Sequence, residues 1–171
     1  LLASIVVSAA SITIGGIEVT ENNHVWASVV SNPGTETASL DVFESEDLTE
    51  GFGTPVLTIN PEDRAVIGGA LKYDGSGNML LFYTLTKGYY DGAGEIYMRS
   101  CPTDDPTRWS DPVKIGTGCV HSAPLILSNG IIALPASIWG PYCIDPAYAG
   151  NVSGVKPGAL VYLSSDKGAT W

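Results

Sequence analysis

One pattern of strand candidates occurs three times along this 171-residue chain. Ile14-Gly15-Gly16-Ile17 returns 53 residues later as Ile67-Gly68-Gly69-Ala70. Val25-Trp26-Ala27-Ser28-Val29 is matched by Leu80-Leu81-Phe82-Tyr83-Thr84, and Val42-Phe43-Glu44-Ser45 by Tyr97-Met98-Arg99-Ser100, each 55 residues on. A third copy runs through Ala123–Leu127, Ile131–Pro135 and Leu160–Ser164, its last step widened by an insert between Ser137 and Pro157. The first two strands of each copy are joined by Asn-, Asp- and Gly-rich segments: Asn22-Asn23, Asp74–Asn78 and Ser128-Asn129-Gly130. Such residues tolerate the φ values that tight hairpins need. A fourth strand candidate follows in copies one and two, Pro55–Ile59 and Pro112–Ile115. Four short antiparallel strands at a period near 53 describe a β-propeller blade. A β-sandwich is the alternative, but it does not account for a repeated order of strands and turns.

The totals agree with an all-β reading. Charged residues are 15% of the chain, and there are 20 glycines and 11 prolines. Few charges and many turn formers suit short hairpins, and no convincing amphipathic helix is found. The formal charge of −10 and the absence of a basic, aromatic-studded surface argue against a nucleic-acid partner. Three cysteines (Cys101, Cys119 and Cys143) are too few for a disulfide framework and lack zinc-ligand spacing. One bridge remains an alternative, but they are expected to be free, mostly buried thiols. No motif calls for a metal or any other cofactor. Leu1–Ala10 is too short to span a bilayer. It is expected to be an ordered strand, with a role as the outer strand that closes the final blade.

The chain's most specific short pattern is Ser164-x-Asp166-x-Gly168-x-Thr170-Trp171. An Asp side chain there can accept hydrogen bonds from turn N–H groups, glycine allows a positive φ, and the Trp packs back between strands. This is the Asp-box sequence, a structural turn. A reduced version, with Ser100, Asp104 or Asp105 and Trp109 but no glycine, ends the corresponding strand of copy two. With these turns, and with segments such as Gly69–Gly75, Ile96–Ser100 and His121–Gly130, residues 11–171 resemble the bacterial neuraminidase-repeat, sialidase-like superfamily. The resemblance implies part of a six-bladed propeller, with blades near 11–60, 61–116 and 117–171 and further blades outside this segment. It also implies a secreted, periplasmic or cell-surface protein that acts on glycans, as an exo-sialidase or a related glycoside hydrolase. A non-catalytic carbohydrate-binding or scaffold propeller is the alternative.

The site residues that the resemblance implies are incomplete here. Exo-sialidases open an early blade with Arg-Ile-Pro-x-Leu, whose Arg grips the substrate carboxylate. Aligned on Ala70-Leu71, that Arg position is Ile67, with Arg64 three residues upstream. The second Arg position falls near Lys87, and lysine lacks the bidentate fork. The family's general acid falls near Asp91. Its nucleophilic Tyr and paired Glu come from later blades.

Blade topology selects the loops that would surround a site. If strands run outward in order, the loops 31–38, 60–66, 85–94, 116–122 and 138–157 share the face opposite the Asp-box turns. Asp91 is the expected general acid. Arg64, Lys87 and His121 are expected substrate contacts, and Tyr90 and Trp139 are expected to stack on sugar rings. The plainer reading is that Lys87–Asp91 is a hydrophilic hairpin tip, that His121 is a structural histidine, and that Trp139 packs its own loop onto the blade.

Overall fold

A computed structural model describes residues 4, 5, 9, 11–87, 94–139 and 156–171. These residues form three antiparallel sheets. In the first, β1 (Ile12–Val19), β2 (Val25–Ser31), β3 (Ser39–Ser45) and β4 (Leu57–Ile59) lie in sequence order. The second repeats the order with β5 (Ala65–Tyr73), β6 (Asn78–Thr86), β7 (Glu95–Pro102) and β8 (Val113–Thr117). In the third, β9 (Cys119–Val120) and β10 (Leu125–Ile126) both pair with β11 (Ile132–Ile138), which pairs with β12 (Gly158–Ser164). β9 and β10 are thus one interrupted inner strand. The third sheet shows no strand outside β12 among the described residues, and most of Leu1–Ala10, expected as an outer strand, lies outside them. No described helix is long and apolar enough to cross a membrane.

Strand composition follows position in the stack. β6, Asn-Met-Leu-Leu-Phe-Tyr-Thr-Leu-Thr, is buried almost throughout because the sheet it centres is covered on both faces. The period of two divides its side chains cleanly: Met79, Leu81 and Tyr83 join Trp26, Leu40 and Val42 of the first sheet. Leu80 and Phe82 join Ile132 and Leu134 of the third. The outermost strands are short and more exposed, three residues in β4 and five in β8, which limits edge-to-edge pairing.

Two tryptophans bind successive sheets together. Trp109, after β7, meets Trp26 of β2 edge-on at 6.0 Å. Trp171, after β12, meets Phe82 of β6 at 5.9 Å and 87°. Each therefore reaches from the turn after a third strand to the second strand of the preceding sheet, and such pairs add to plain area burial. The Trp171 indole N–H donates to the Gly168 carbonyl at 3.1 Å.

The turn that presents Trp171 is closed by its polar residues. Asp166 Oδ1 accepts the Thr170 N–H at 2.9 Å, and its other oxygen accepts the Thr170 hydroxyl. Ser164 Oγ donates to Asp166 at 2.8 Å and accepts the Gly168 N–H at 2.8 Å. In the second sheet Asp105 makes a shorter-range contact, accepting from the Thr107 N–H at 3.3 Å and its hydroxyl at 2.7 Å only two residues on. The Thr170 side chain first, then the Thr170 and Ser164 hydrogen bonds, hold the Asp166 carboxyl at a pKa of about 2. A carboxyl depressed in the folded state stabilises it above its unfolded pKa, and that contribution fades as pH falls toward the folded value. Asp166→Ala is accordingly expected to lower the thermal midpoint at neutral pH. The gap from the unsubstituted protein should close as pH falls from about 4 to about 2. A gap independent of pH would exclude this role for the carboxylate.

Cys101 is a buried free thiol, and burial pushes its pKa up to about 12. Cys119 is buried too, whereas Cys143 lies outside the described residues.

Candidate functional site

The innermost strands of the three sheets, β1, β5 and β9, approach one another through glycine. β1 and β5 each carry a register shift at their Gly-Gly pair, between Ile14 and Gly16 and between Ile67 and Ala70. A β-bulge of this kind bends the strand and re-aims its neighbours. A Cβ on Gly15 would stand 2.7 Å from the Gly69 carbonyl oxygen, and one on Gly68, at φ 72°, would stand 2.8 Å from that of Val120. The Ser28 hydroxyl bonds the Gly69 carbonyl across the first two sheets. The Val120 N–H donates to Thr84 Oγ1 at 3.1 Å, tying β9 to β6.

The third inner strand is displaced further. Val120 faces Ala136 and Leu125 faces Ala133, so five steps on one strand oppose three on the other. His121–Pro124 leave the ladder, and His121 becomes exposed where the first two sheets have glycine.

A cleft of about 210 Å³ opens at this convergence, walled by Thr13, Pro33, Gly68, Val120, His121 and Trp139. Its floor includes Ile67, which is 7% exposed and packs with Cys119 and the Trp139 indole. The Trp139 indole N–H donates to His121 Nε2 at 3.0 Å and to Ser137 Oγ at 2.9 Å. The two ring planes are 12° apart with centroids at 5.0 Å. The two rings are thus stacked nearly parallel, and together they form an aromatic wall of the cleft. An accepting Nε2 places the imidazole proton on Nδ1. Burial lowers the pKa of His121, which favours the same neutral form. The wall therefore offers an aromatic surface together with one N–H donor, His121 Nδ1.

The expected site residues divide into three groups. His121 and Trp139 come together in the cleft. Arg64 does not line it: its guanidinium is engaged by Glu95, which also binds Lys114 and the Tyr97 hydroxyl. Hydrogen bonds from Lys114 and then Arg64 hold the Glu95 carboxyl at about 2. Arg64 is thus turned along its own sheet, because Glu95 at the start of β7 offers a fixed partner that the cleft does not. Lys87 is exposed just beyond β6 and does not line the cleft either. Tyr90 and Asp91 lie outside the described residues.

The sequence placed Ile67 at the position of the expected Arg, but it gave no role to the glycine pairs beyond marking the repeat. The echo of Gly15-Gly16 in Gly68-Gly69 was the available signal, since glycine inside a strand marks a bulge or a close backbone approach.

No protein-family profile matches this sequence, and no curated protein matches it. Solved structures do. A Dyadobacter fermentans protein of unknown function superposes with a TM-score of 0.67 at 15% identity, over 94% of this chain and 53% of that one. A mutant Trypanosoma rangeli sialidase with trans-sialidase activity gives 0.63 at 12% identity, over 95% of this chain and 30% of that one. An endo-arabinase from Bacteroides thetaiotaomicron gives 0.56 at 17% identity, over 90% and 56%. The fold is that of propeller glycosidases. At these identities the likeness shows the fold alone. The chain spans from about a third to about half the length of these structures.

Proposed function

We propose that this chain is part of a sialidase-like propeller that acts on glycans as a glycoside hydrolase, with the cleft between β1, β5 and β9 as its sugar site. The observation that carries the reading is the stacked His121–Trp139 pair lining the cleft at the convergence of the inner strands. Aromatic faces suit the C–H-rich side of a sugar ring, and His121 Nδ1–H can bond a ring hydroxyl. Ile67 stands where the exo-sialidases carry a carboxylate-binding Arg, and it is buried under Trp139. An apolar floor favours a neutral sugar over a sialic acid, because an anion there would lose its hydration without a paired cation. Ser164–Trp171 is read as an Asp-box turn, which holds neighbouring blades together and stays out of the chemistry.

Further blades complete the ring in this proposal. Ile12, Ile17 and Val19 on β1 are 51%, 65% and 47% exposed, and Val161 and Leu163 on β12 are 63% and 56% exposed. Both free faces of the arc are thus apolar, as surfaces that pack against adjoining blades would be.

Asp91 is assigned the general acid, with Tyr90 on the same loop as a substrate contact, while Lys87, outside the cleft lining, could reach only a part of the glycan that extends beyond it. Arg64, held by Glu95, steadies the rim. Hydrolysis needs a second carboxyl group about 5 Å away for retention or about 6.5–9.5 Å for inversion. None of the described cleft residues carries a carboxylate, an observation that favours carbohydrate binding without hydrolysis as the second reading. The full-length protein should be assayed on aryl glycosides of neutral sugars and on a glycan array. Turnover that falls at least a hundredfold in Asp91→Asn supports hydrolysis with this acid. Array binding with no turnover selects the second reading, and neither turnover nor binding removes both.

A further inference from the structure

A different cluster lies at the opposite end of β2, about 20 Å along the strand from the cleft. β2 and β3 pair Val25 with Ser45 and Trp26 with Glu44, so His24, Glu44 and Glu46 share one face of the sheet. Their ligating atoms all fall within 4.8 Å of one another. His24 Nδ1 lies 2.9 Å from Glu44 Oε1, and the side chains are 25% and 11% exposed. Glu44 Oε1 is nevertheless buried with no N–H or O–H aligned on it. The imidazole nitrogen at 2.9 Å is not well aligned on this buried oxygen and satisfies it poorly, and a second carboxylate beside it adds repulsion. No described Lys or Arg forms an ion pair with either glutamate.

The backbone around the cluster is fixed before any ligand arrives. The Thr20 N–H donates to the His24 carbonyl at 3.0 Å, and the Asn23 N–H donates to the Thr20 carbonyl at 3.0 Å with Asn23 at φ 63°. On the other strand, the Ser45 hydroxyl donates to the Gly51 carbonyl at 2.7 Å.

We propose that His24 Nδ1, Glu44 and Glu46 bind a divalent transition-metal ion, with Zn²⁺ the best match. One imidazole nitrogen and two carboxylates form a zinc donor set, and water completes the coordination. Calcium takes oxygen donors, so the imidazole sets this site against it. Adjacent donors of a tetrahedral zinc ion lie about 3.3 Å apart. His24 and Glu44 already meet that spacing to within a few tenths of an ångström, and exposed Glu46 turns inward to complete the set. The ion would tie the β1–β2 turn to the end of β3 and leave the sugar cleft untouched.

Zinc chloride titrated into the full chain in a non-chelating buffer, followed by calorimetry and thermal unfolding, tests the site. The expected result is one zinc per chain and a midpoint raised by several degrees. Glu46→Gln and His24→Gln should each weaken binding at least tenfold, while His121→Gln retains it and calcium chloride has no effect. Glu46 is exposed, so its substitution tests the ligand without testing the core. The proposal is overturned by no zinc binding, by binding that survives both Glu46→Gln and His24→Gln, by loss of binding in His121→Gln, or by equal affinity for calcium.

Discussion

Gly68→Ala is expected to destabilise the protein by about 3 kcal/mol. A left-handed backbone costs an L-residue roughly 1–2 kcal/mol. Gly68 sits at φ 72°, and its new methyl group would also stand 2.8 Å from the Val120 carbonyl oxygen. That neighbour is backbone at the junction of two sheets and cannot rotate away, so β5 and β9 must move apart. Overpacking of this kind costs about 1–3 kcal/mol on its own. Gly53→Ala is the matched control, since nothing lies within 4 Å of a Cβ there. Urea unfolding of both variants gives the comparison. If Gly68→Ala matched Gly53→Ala to within about 0.5 kcal/mol, the inner strands would not converge as described. The same displacement should widen the cleft, so any sugar affinity is expected to fall together with stability.

Trp139→Ala is expected to cost about 2 kcal/mol in sugar affinity, or roughly thirtyfold in Kd, because truncating a central aromatic removes the contact surface. It also leaves Ile67 open to water and takes away the N–H that orients His121. Trp139→Phe separates these effects, since it keeps an aromatic face but has no donor. A donor to Nε2 favours the neutral imidazole, so removing it should raise the His121 pKa toward its ordinary value. Proton NMR titration of the His121 ring measures that change. A Trp139→Phe variant with an unchanged His121 pKa and unchanged sugar binding would remove the indole N–H from the description of the site.

These two residues also show how far a sequence reading reaches. Trp139 drew attention as an aromatic in a long, Pro- and Gly-broken insert, and His121 as the opening of the third copy. Their meeting was not legible, because 18 positions separate them and the β9–β11 register decides it. Arg64 shows the reverse case. Its cationic side chain beside a loop suggested a substrate contact, but Glu95 is 31 residues away in sequence and adjacent in space. Local sequence contains no term for a competing partner brought in by strand pairing.

The strands themselves were legible because their cause is local. β-branched and aromatic runs bounded by Asn, Asp, Gly and Pro specify extended segments and hairpins. Repetition of one unit then implies that neighbours bury one another's faces. The division of β6, with Leu81 and Tyr83 toward the first sheet and Leu80 and Phe82 toward the third, is the two-residue period carried into a stack. By itself, then, the sequence determined the all-β class, the order of strands and the closed Ser164–Trp171 turn, since each rests on interactions among residues close along the chain. Only the tertiary structure decided which side chains line the cleft, that Ile67 packs there against Cys119 and Trp139, and that His24 stands against two glutamates. Those outcomes depend on strand register and on the contact of separate sheets, where a shift of one residue sends every side chain to the other face.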